Sequence, residues 1–591
     1  MRIKPIKSFF AFVIAAGACS SLHAQITALT NFNPNQGSGV SAGEIVAFDK
    51  ITQRLFVSSS GLTTAGNLST GVHQVNIFGL SNPAAQTNLG VIDYSTAFGV
   101  VANMRGLSSV AVDPLNRFGV AALIPTANAT TVGKLGFFNL STGVSIGTVD
   151  VGYHPDSVTF SADGSKLIVV NEGEFNPNIT VGDAVYNGTN AGLVNAPGSI
   201  SIIDVSSINS GNLASLTSLS VATRDFSAGN LASGVSIASL RNSNIAAVGT
   251  TGNFIANVPV FNTADIGAIE PEYASISGNK VYVSLQDNNA IGVFDLTLDK
   301  WTEVKNLGTI TQTIDATDQN AAGVTTNLIS IAKVVKGLPM PDTVGTFVSG
   351  GKTYVVSANE GDARVDDRDI SRFGDISGSD SMNTIIDQNG PSNFPLTQTG
   401  ERALDQLGRL NVSRLDGDTD GDFKIDDPTM IGTRSFSIHE DTAGGLVRIF
   451  DSGSFFENYI AANGGWQDGR SDDKGPEPEG LTIGVIDGRT YLFISMERTA
   501  HIFQFDITDP LNPTLVDAEL LPFATAQRPE GMQFISAADS PNGQNLLIVG
   551  YEGAGTSTTE KIGVFTVVPE PSTLVTLLGG AAMLGLRRRR A

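Results

Sequence analysis

Carboxylates are the residues of this sequence whose types and spacing suggest chemistry. The sharpest run is Asp416-Gly417-Asp418-Thr419-Asp420-Gly421-Asp422, continuing to Asp427. Oxygen ligands at positions 1, 3 and 5, a glycine at 6 and a carboxylate at 12 match a calcium loop, because calcium is a hard ion that takes roughly six to eight oxygens. Asp416, Asp418, Asp420, Asp422 and Asp427 are therefore the expected ligands of a structural Ca2+. The loop departs from an EF-hand in three ways. Position 12 is Asp427 and not Glu, Lys424 occupies position 9, and Thr433 to Ile438 reads as a strand where a second helix would follow. A helix is expected before the loop, over about 401–410. A merely solvated acidic loop is the competing reading.

A second set of acids recurs with the strands. His154-Pro155-Asp156, Glu270-Pro271-Glu272, Pro341-Asp342, Glu477-Pro478-Glu479 and Arg528-Pro529-Glu530 each open a β-hairpin. The second strand of each hairpin runs into further acids: Glu172 and Glu174, Asp287, Glu360 and Asp362, Glu497, and Glu552. The start of one antiparallel strand lies beside the end of the next. Asp156 is thus expected near Glu172 and Glu174, and Asp342 near Glu360 and Asp362. The same rule pairs Glu272 with Asp287, Glu479 with Glu497, and Glu530 with Glu552. If the hairpins are equivalent, these groups gather at one mouth of a channel. So many like charges stay ionised only beside cations, arginines or backbone donors, and Arg498 and Arg528 are the candidate counter-charges. Two chemistries follow: a site for a metal or cationic ligand, or simple repeat geometry in which each acid accepts turn N–H groups. If the site is catalytic, Glu272, Glu360, Glu479, Glu497 and Glu530 would hold metals that polarise a phosphoryl group. Arg498 or Arg528 would then steady the phosphate.

The elements that position these acids are short β-strands. The chain has 591 residues with 65 glycines and only 16% charged residues, and helical periodicity is nearly absent. The clearest unit runs from His154 through the turn Asp163-Gly164 to Leu167-Ile168-Val169-Val170, with a third strand at Ser199 to Asp204. Asp-Gly between apolar runs is a strong hairpin signal. Six stretches echo it, opening at Glu44, Ser108, Glu270, Pro341, Glu477 and Arg528. The fifth opens at Pro341, and its third strand is expected late, at Val447 to Asp451. Seven small antiparallel sheets predict a single all-β domain, a seven-bladed β-propeller over about 25–566, whose radial closure removes exposed edges. Long insertions interrupt it at about 176–197, 206–269, 296–338 and 363–445, the last holding the calcium-type loop 416–427. A sandwich or two separate β domains is the alternative.

Composition narrows the function. The formal charge is −22, a surface that repels nucleic acid and anionic lipid. Cys19 is the only cysteine and leaves with the leader described below, which removes disulfides and thiolate sites. Only His73, His154, His439 and His501 remain beyond that leader, none in an H-x-x-x-H spacing. Gly39-Val40-Ser41-Ala42-Gly43 and Gly143-Val144-Ser145-Ile146-Gly147 match G-x-S-x-G, but β-like runs follow both, where a nucleophile elbow needs a helix.

The two ends read as export devices. A basic start, the apolar run Phe9 to Ala16 and Leu22-His23-Ala24 form a signal peptide over 1–24. Ala16-Gly17-Ala18-Cys19 loosely resembles a lipobox, an alternative in which Cys19 is lipidated. At 567–591, Val568-Pro569-Glu570-Pro571, an apolar stretch and Arg587 to Arg590 resemble the PEP-CTERM sorting signal. That resemblance implies an exosortase-type processing partner and membrane attachment only through the tail, its arginines on the cytoplasmic side. The Pro-Asp/Glu openers and the Asn-Glu-Gly hairpin ends resemble YVTN-type repeats. Together with Arg470-Ser471-Asp472-Asp473-Lys474-Gly475-Pro476-Glu477 they resemble the choice-of-anchor I family of secreted bacterial proteins. The resemblance implies a propeller displayed at the cell envelope, cell surface or extracellular matrix. Some relatives carry the label alkaline phosphatase. The expectation is a displayed propeller that binds an extracellular glycan, protein or matrix ligand, with structural calcium. The alternative is a calcium-dependent phosphoester hydrolase.

Overall fold

A computed structural model of the chain describes residues 25–34, 40–61, 72–127, 130–173, 196–238, 240, 269–325, 327–362, 370–375, 403–413, 416–417, 427–520, 528–553 and 560–568. The expected signal peptide, the sorting tail beyond Val568, Glu174, Asp418, Asp420 and Asp422 lie outside these residues, while Val567 and Val568 end a strand.

Turn chemistry sets the hairpins. Gly164, Gly278, Gly350, Gly488 and Gly543 all adopt positive φ at the tips, where a side chain would be strained. The strands leaving these turns are apolar on both faces: Lys166–Asn171, Lys280–Leu285, Arg489–Met496 and Asn545–Tyr551 are buried nearly throughout. A strand buried on both faces must lie inside a stack of sheets, as in a ring whose sheets pack face to face.

The described residues form eight sheets, seven of four strands and one of five. The first strands of the seven neighbour one another in sequence order: Val40–Asp49, Met104–Val112, Pro155–Phe160, Pro271–Ser277, Val344–Ser349, Pro478–Ile486 and Pro529–Ile535. The last of these neighbours the first, so the circle closes. Closure is completed from the other end of the chain. Gln25–Phe32 is the outer strand of the seventh sheet, paired antiparallel with Lys561–Val568, with Gln25 opposite Val568. Apolar clusters fill the spaces between sheets, for example Ile26, Tyr491, Phe493, Leu547, Val549 and Phe565.

The five-stranded sheet is built from insertions. Ile310–Ile314 and Lys333–Leu338 precede the fifth sheet of the ring, while Ile370–Arg372, Asn411–Ser413 and Thr429–Ile431 interrupt it. Its small core includes Ile314, Val335, Phe373, Leu407, Leu410 and Met430. Two expectations are corrected here. Residues 403–410 form turns, not a helix; Leu407 and Leu410 dive into that core on either side of Gly408. The third strand of the fifth sheet is Ser435–Thr442, and Gly445–Asp451 is the fourth. Ile449-Phe450-Asp451 imitates the ending of other third strands, which is why the register was misplaced. One α-helix is present among the described residues, Phe455–Asn463, with Phe456 and Ile460 packed on the sixth sheet.

Candidate site at the channel mouth

The recurrent opener has a specific backbone shape. His154, Met340, Glu477 and Arg528 have φ of 45°, 47°, 58° and 58°, left-handed positions immediately before proline. Each turns the chain so that the acid two residues on enters the ring. Next comes a bulge. Pro155 pairs with Asn171 but Val158 with Val169, so one residue is extra, and the same slip follows Pro271, Pro478 and Pro529. Bulges re-aim side chains at the cost of ladder hydrogen bonds. A serine on the second strand repairs part of that loss. Ser58, Ser284 and Ser495 accept from the N–H of Ile45, Tyr273 and Gly480 at 3.0, 2.9 and 3.1 Å. Glycine after the acid lets neighbouring first strands touch. A Cβ on Gly480 would lie 1.7 Å from the carbonyl oxygen of Glu530, and one on Gly531 would lie 2.4 Å from that of Glu44.

The outcome is convergence of carboxylates from six of the seven sheets: Glu44, Asp156, Glu272, Asp342, Glu479 and Glu530. The second sheet offers Ser108 instead, at the equivalent bulge; its Oγ donates to the carbonyl of Pro155 at 2.7 Å. Ile45, Ser157, Tyr273, Asp342, Glu479 and Glu530 are among the residues lining an axial cavity of about 440 Å3. Burial is the first reason these groups resist ionisation, and neighbouring carboxylates are the second. Asp156 is pushed up to about 7 by burial and Glu172, against some relief from His154. Glu44 rises to about 8 through burial, Glu552, Glu560 and Asp156. Glu272, Asp342, Glu479 and Glu530 all lie well above the carboxylate range through burial first and neighbouring carboxylates second, led by Glu172, Glu360, Glu497 and Glu44 respectively. Tyr273 stands among them, its hydroxyl raised by burial and by Asp342, Asp156, Glu530 and Glu479.

Of the expected hairpin pairs, Asp156 feels the charge of Glu172, Glu272 that of Asp287, Asp342 that of Glu360, Glu479 that of Glu497 and Glu530 that of Glu552. The mouth is asymmetric. On one side Lys474 Nζ lies 2.7 Å from Glu360 and 3.4 Å from both Asp362 and Glu477. Arg498 bridges Glu477 at 3.0 Å and Glu497 at 2.8 Å, Arg470 also grips Glu477, and Arg528 meets Glu552 at 3.0 Å. Glu477 illustrates the balance. Burial would raise it, but Lys474, Arg470 and Arg498 outweigh that and hold it down to about 2. Burial still lifts Glu360 to about 7 and Glu497 to about 9 despite Lys474 and Arg498. On the other side, Asp156, Glu172 and Glu272 bring carboxylate oxygens within 4.8 Å of one another. Among them, Glu172 lies 3.0 Å from His154 Nδ1. Two further groups of this kind, Asp342–Glu360–Glu479 and Glu360–Glu477–Glu497, both contain the Lys474-bound Glu360.

Sequence reading found the acids, Arg498 and Arg528. It missed Lys474, Arg470 and Glu477 as one ion network, although all lie in the charged run 470–477. It also left Glu44 out of the acid set, because no proline precedes it.

The described ends of the calcium-type loop adjoin two strands of the inserted sheet, Asn411–Ser413 and Thr429–Ile431. Asp416 accepts from Ser413 Oγ at 2.5 Å, and the Asp427 N–H donates to the Gly417 carbonyl at 3.0 Å, bringing the loop ends together. Asp427 is ion-paired with Lys336 through one oxygen, and its Oδ1 is buried without a partner. Asp418, Asp420 and Asp422 fall outside the described residues.

A ring of small antiparallel sheets with an acid-lined axis defines a propeller-like, all-β class of protein. Within that class the chain belongs to the choice-of-anchor I domain family, whose model matches residues 44–510. Gigasin-3a of Magallana gigas is 29% identical over 200 residues, spanning 28% of this chain and 68% of that protein. Among solved structures, Kuenenia stuttgartiensis hydrazine synthase matches at 12% identity and TM-score 0.40, covering 91% of this chain and 99% of that one. A periplasmic gluconolactonase of Pseudomonas aeruginosa matches at 9% identity and TM-score 0.33, covering 81% and 85%. A hypothetical selenium-binding protein from Sulfolobus tokodaii matches at 10% and 0.36, covering 88% and 83%. No helix among the described residues is long and apolar enough to cross a membrane.

Proposed function

We propose that this chain is an exported, surface- or matrix-displayed propeller of seven blades whose channel mouth binds a divalent cation and, through it, an extracellular ligand. One observation carries the reading: Asp156, Glu172 and Glu272 crowd within 4.8 Å, and among the described residues Lys474, Arg498 and Arg528 pair with other acids. Buried carboxylates that close repel unless a cation or protons intervene, and oxygen-only clusters suit hard cations such as calcium. The ring of seven four-stranded sheets supports the blade count, and the family supports display outside the cell. The ligand classes that fit are glycan, protein and matrix. Processing of the tail by an exosortase-type enzyme and attachment through it belong to the same proposal. So does a structural calcium ion in the loop of Asp416, Asp418, Asp420, Asp422 and Asp427. There Gly417 and Asp427 close the loop ends, and the orphaned Asp427 Oδ1 offers a ligand.

A second reading is a metal-dependent phosphoester hydrolase. Its favouring observation is that Arg498 and Arg528 stand at the same mouth. In that reading Glu360 and Glu497 are poor ligands because Lys474 and Arg498 already neutralise them. The better metal set is Asp156, Glu172 and Glu272, with Glu479 and Glu530 next in line. A bound metal would polarise the phosphoryl oxygen, and the arginines would orient the anion.

The test is calcium titration calorimetry on the chelator-stripped protein and its Glu272→Gln variant, with phosphomonoester turnover measured in the same samples. Loss of one calcium equivalent in the variant supports the channel site. Unchanged binding would remove it. Turnover abolished by Glu272→Gln would favour the hydrolase.

A further inference from the structure

Where the inserted sheet meets the helix and the sixth sheet, a group of buried polar side chains has no role in the channel. Arg434 is 1% exposed and organises it. Its guanidinium pairs with Glu457 of the helix and donates to the carbonyls of Asp315 at 3.0 Å, Ser471 at 2.8 Å and Asp473 at 2.6 Å. Asp315, just past the strand Ile310–Ile314, is 0% exposed. Its Oδ2 accepts from Ser471 Oγ at 3.1 Å. The Ser471 N–H in turn donates to the Asp468 carbonyl at 3.0 Å, so one serine ties Asp315 to the turn bearing Asp468.

Four buried carboxylate oxygens here have no hydrogen-bond partner among the described residues: Asp315 Oδ1, Glu457 Oε2 and both oxygens of Asp468, a residue only 4% exposed. A buried acceptor left unpaired is destabilising, the more so when charged. The cations nearby are committed elsewhere. Arg434 holds Glu457, Arg409 holds Asp318 and Asp472, and Arg372 holds Asp472. Asp315 and Asp468 are left with no lysine or arginine ion pair among the described residues. Two carboxylates of net charge −2 with spare oxygens match one divalent cation.

We propose that Asp315, Glu457 and Asp468 form a buried site for a hard divalent cation, calcium by its chemistry, which staples the inserted sheet to the helix and to the 468–471 turn. This site is separate from both the channel mouth and the 416–427 loop. Its three carboxylates stand further apart than the channel triad, so binding draws them together by side-chain rotation, with water completing the shell. Burial raises both Asp315 and Asp468; the charges of Asp315 and Asp318 add to it at Asp468, while Arg434 relieves Asp315. The backbone amides of Asn327 and Leu328 face Asp468, and those of Ser330 and Thr317 face Asp315.

The sequence supplies a built-in reporter. Trp466, two residues before Asp468, is one of only two tryptophans; the other, Trp301, stacks on Phe226 in the fourth sheet. Terbium, a calcium mimic, is titrated into the chelator-stripped full-length protein with tryptophan excitation. Wild type is expected to give sensitised emission that calcium displaces. Asp468→Asn and Asp315→Asn are expected to weaken terbium binding at least about ten-fold, since both remove ligand charge. Glu272→Gln and Asp416→Asn should leave the emission intact. Trp466→Phe should abolish emission while the calcium stoichiometry by calorimetry stays unchanged, which covers the case in which an Asp variant folds poorly. Absence of sensitised emission in wild type, or emission indifferent to both Asp substitutions, would overturn the proposal and leave water and shared protons as what satisfies these oxygens.

Discussion

Lys474 places its ammonium 2.7 Å from a Glu360 oxygen, with the other Glu360 oxygen held by Gln286 at 2.9 Å. A side chain from the 470–477 loop thus occupies the position a metal would take between Glu360 and Glu477. That contact divides the channel mouth into a neutralised half and an anionic half.

Replacing Lys474 with methionine strands the buried Glu360 carboxylate, while Glu477 keeps Arg470 and Arg498, and is expected to cost about 3–5 kcal/mol, the penalty for breaking a buried pair. Urea unfolding in chelator measures it. Added calcium should restore part of the loss, because Asp342, Glu360 and Glu479 then form a vacant oxygen cluster. A variant as stable as wild type in chelator would show that Lys474 is not the counter-charge described.

The pH dependence follows from groups whose folded pKa exceeds the unfolded value of 4.5 for Glu or 3.8 for Asp: Asp156 and Glu360 at about 7, Glu44 at about 8 and Glu497 at about 9. A raised folded pKa means the native state binds the proton more tightly. Its stabilising contribution is full below the unfolded pKa and is lost progressively as pH rises from there to the folded pKa, complete near 7 for Asp156 and Glu360, 8 for Glu44 and 9 for Glu497. In chelator, stability should fall across that window by up to about 1.4 kcal/mol per pH unit for each titrating group. Calcium should flatten the decline, since it binds the deprotonated forms. Thermal unfolding at pH 5, 7 and 9, with and without calcium, reads both effects. A rise toward pH 9 in chelator contradicts the electrostatics of the ring.

Glu272→Gln and Asp156→Asn should act in opposite directions under two conditions. Without calcium each removes a like charge and should stabilise the fold or leave it unchanged. With calcium each should weaken binding by about ten-fold or more, worth ~1.4 kcal/mol. Calorimetry and melting curves on the same samples separate the two. Destabilisation in chelator would mean these acids serve as structural acceptors.

Gly480→Ala tests the close approach of the sixth and seventh sheets. Its Cβ would collide with the Glu530 carbonyl, so the strands must part, at about 1–3 kcal/mol for overpacking. Cation affinity at the mouth should fall with it, because Glu479 and Glu530 separate. Unaltered urea midpoint and affinity would show that the strands yield freely.

Ile26→Ala probes the closing strand. Ile26 is 1% exposed in the cluster with Leu547 and Phe565, and truncation of such a side chain costs about 2–5 kcal/mol. Urea denaturation should show the whole ring losing stability in one transition. A biphasic curve, with the seventh sheet melting first, would instead make closure a local event.

The hairpins were legible because Pro-Asp/Glu openers and glycine turns repeat with apolar second strands. The fourth strands were not. Thr87–Asp93 and Lys300–Asn306 are largely exposed or half-buried and polar, so no periodic apolar signal marks them. Gln25–Phe32 was illegible as a partner of Lys561–Val568, because pairing across almost the full chain leaves no local trace. The acids of the mouth could be placed from the repeat. Their division by Lys474 could not, because the 470–477 loop is not itself a repeat element and its reach is decided by tertiary structure. The Asp315–Asp468 pocket joins three segments with no common spacing and has no sequence signature at all.

The pairing of Gln25–Phe32 with Lys561–Val568 sets an order of events for folding. The strand synthesised near the beginning must wait for nearly the last residues before its hydrogen bonds can form, which is contact order at its largest for this chain. Until then the seventh sheet has an open edge and the ring cannot lock. Under the export proposed above, that delay keeps the chain threadable through a translocation pore, since the final locking step awaits the strand Lys561–Val568.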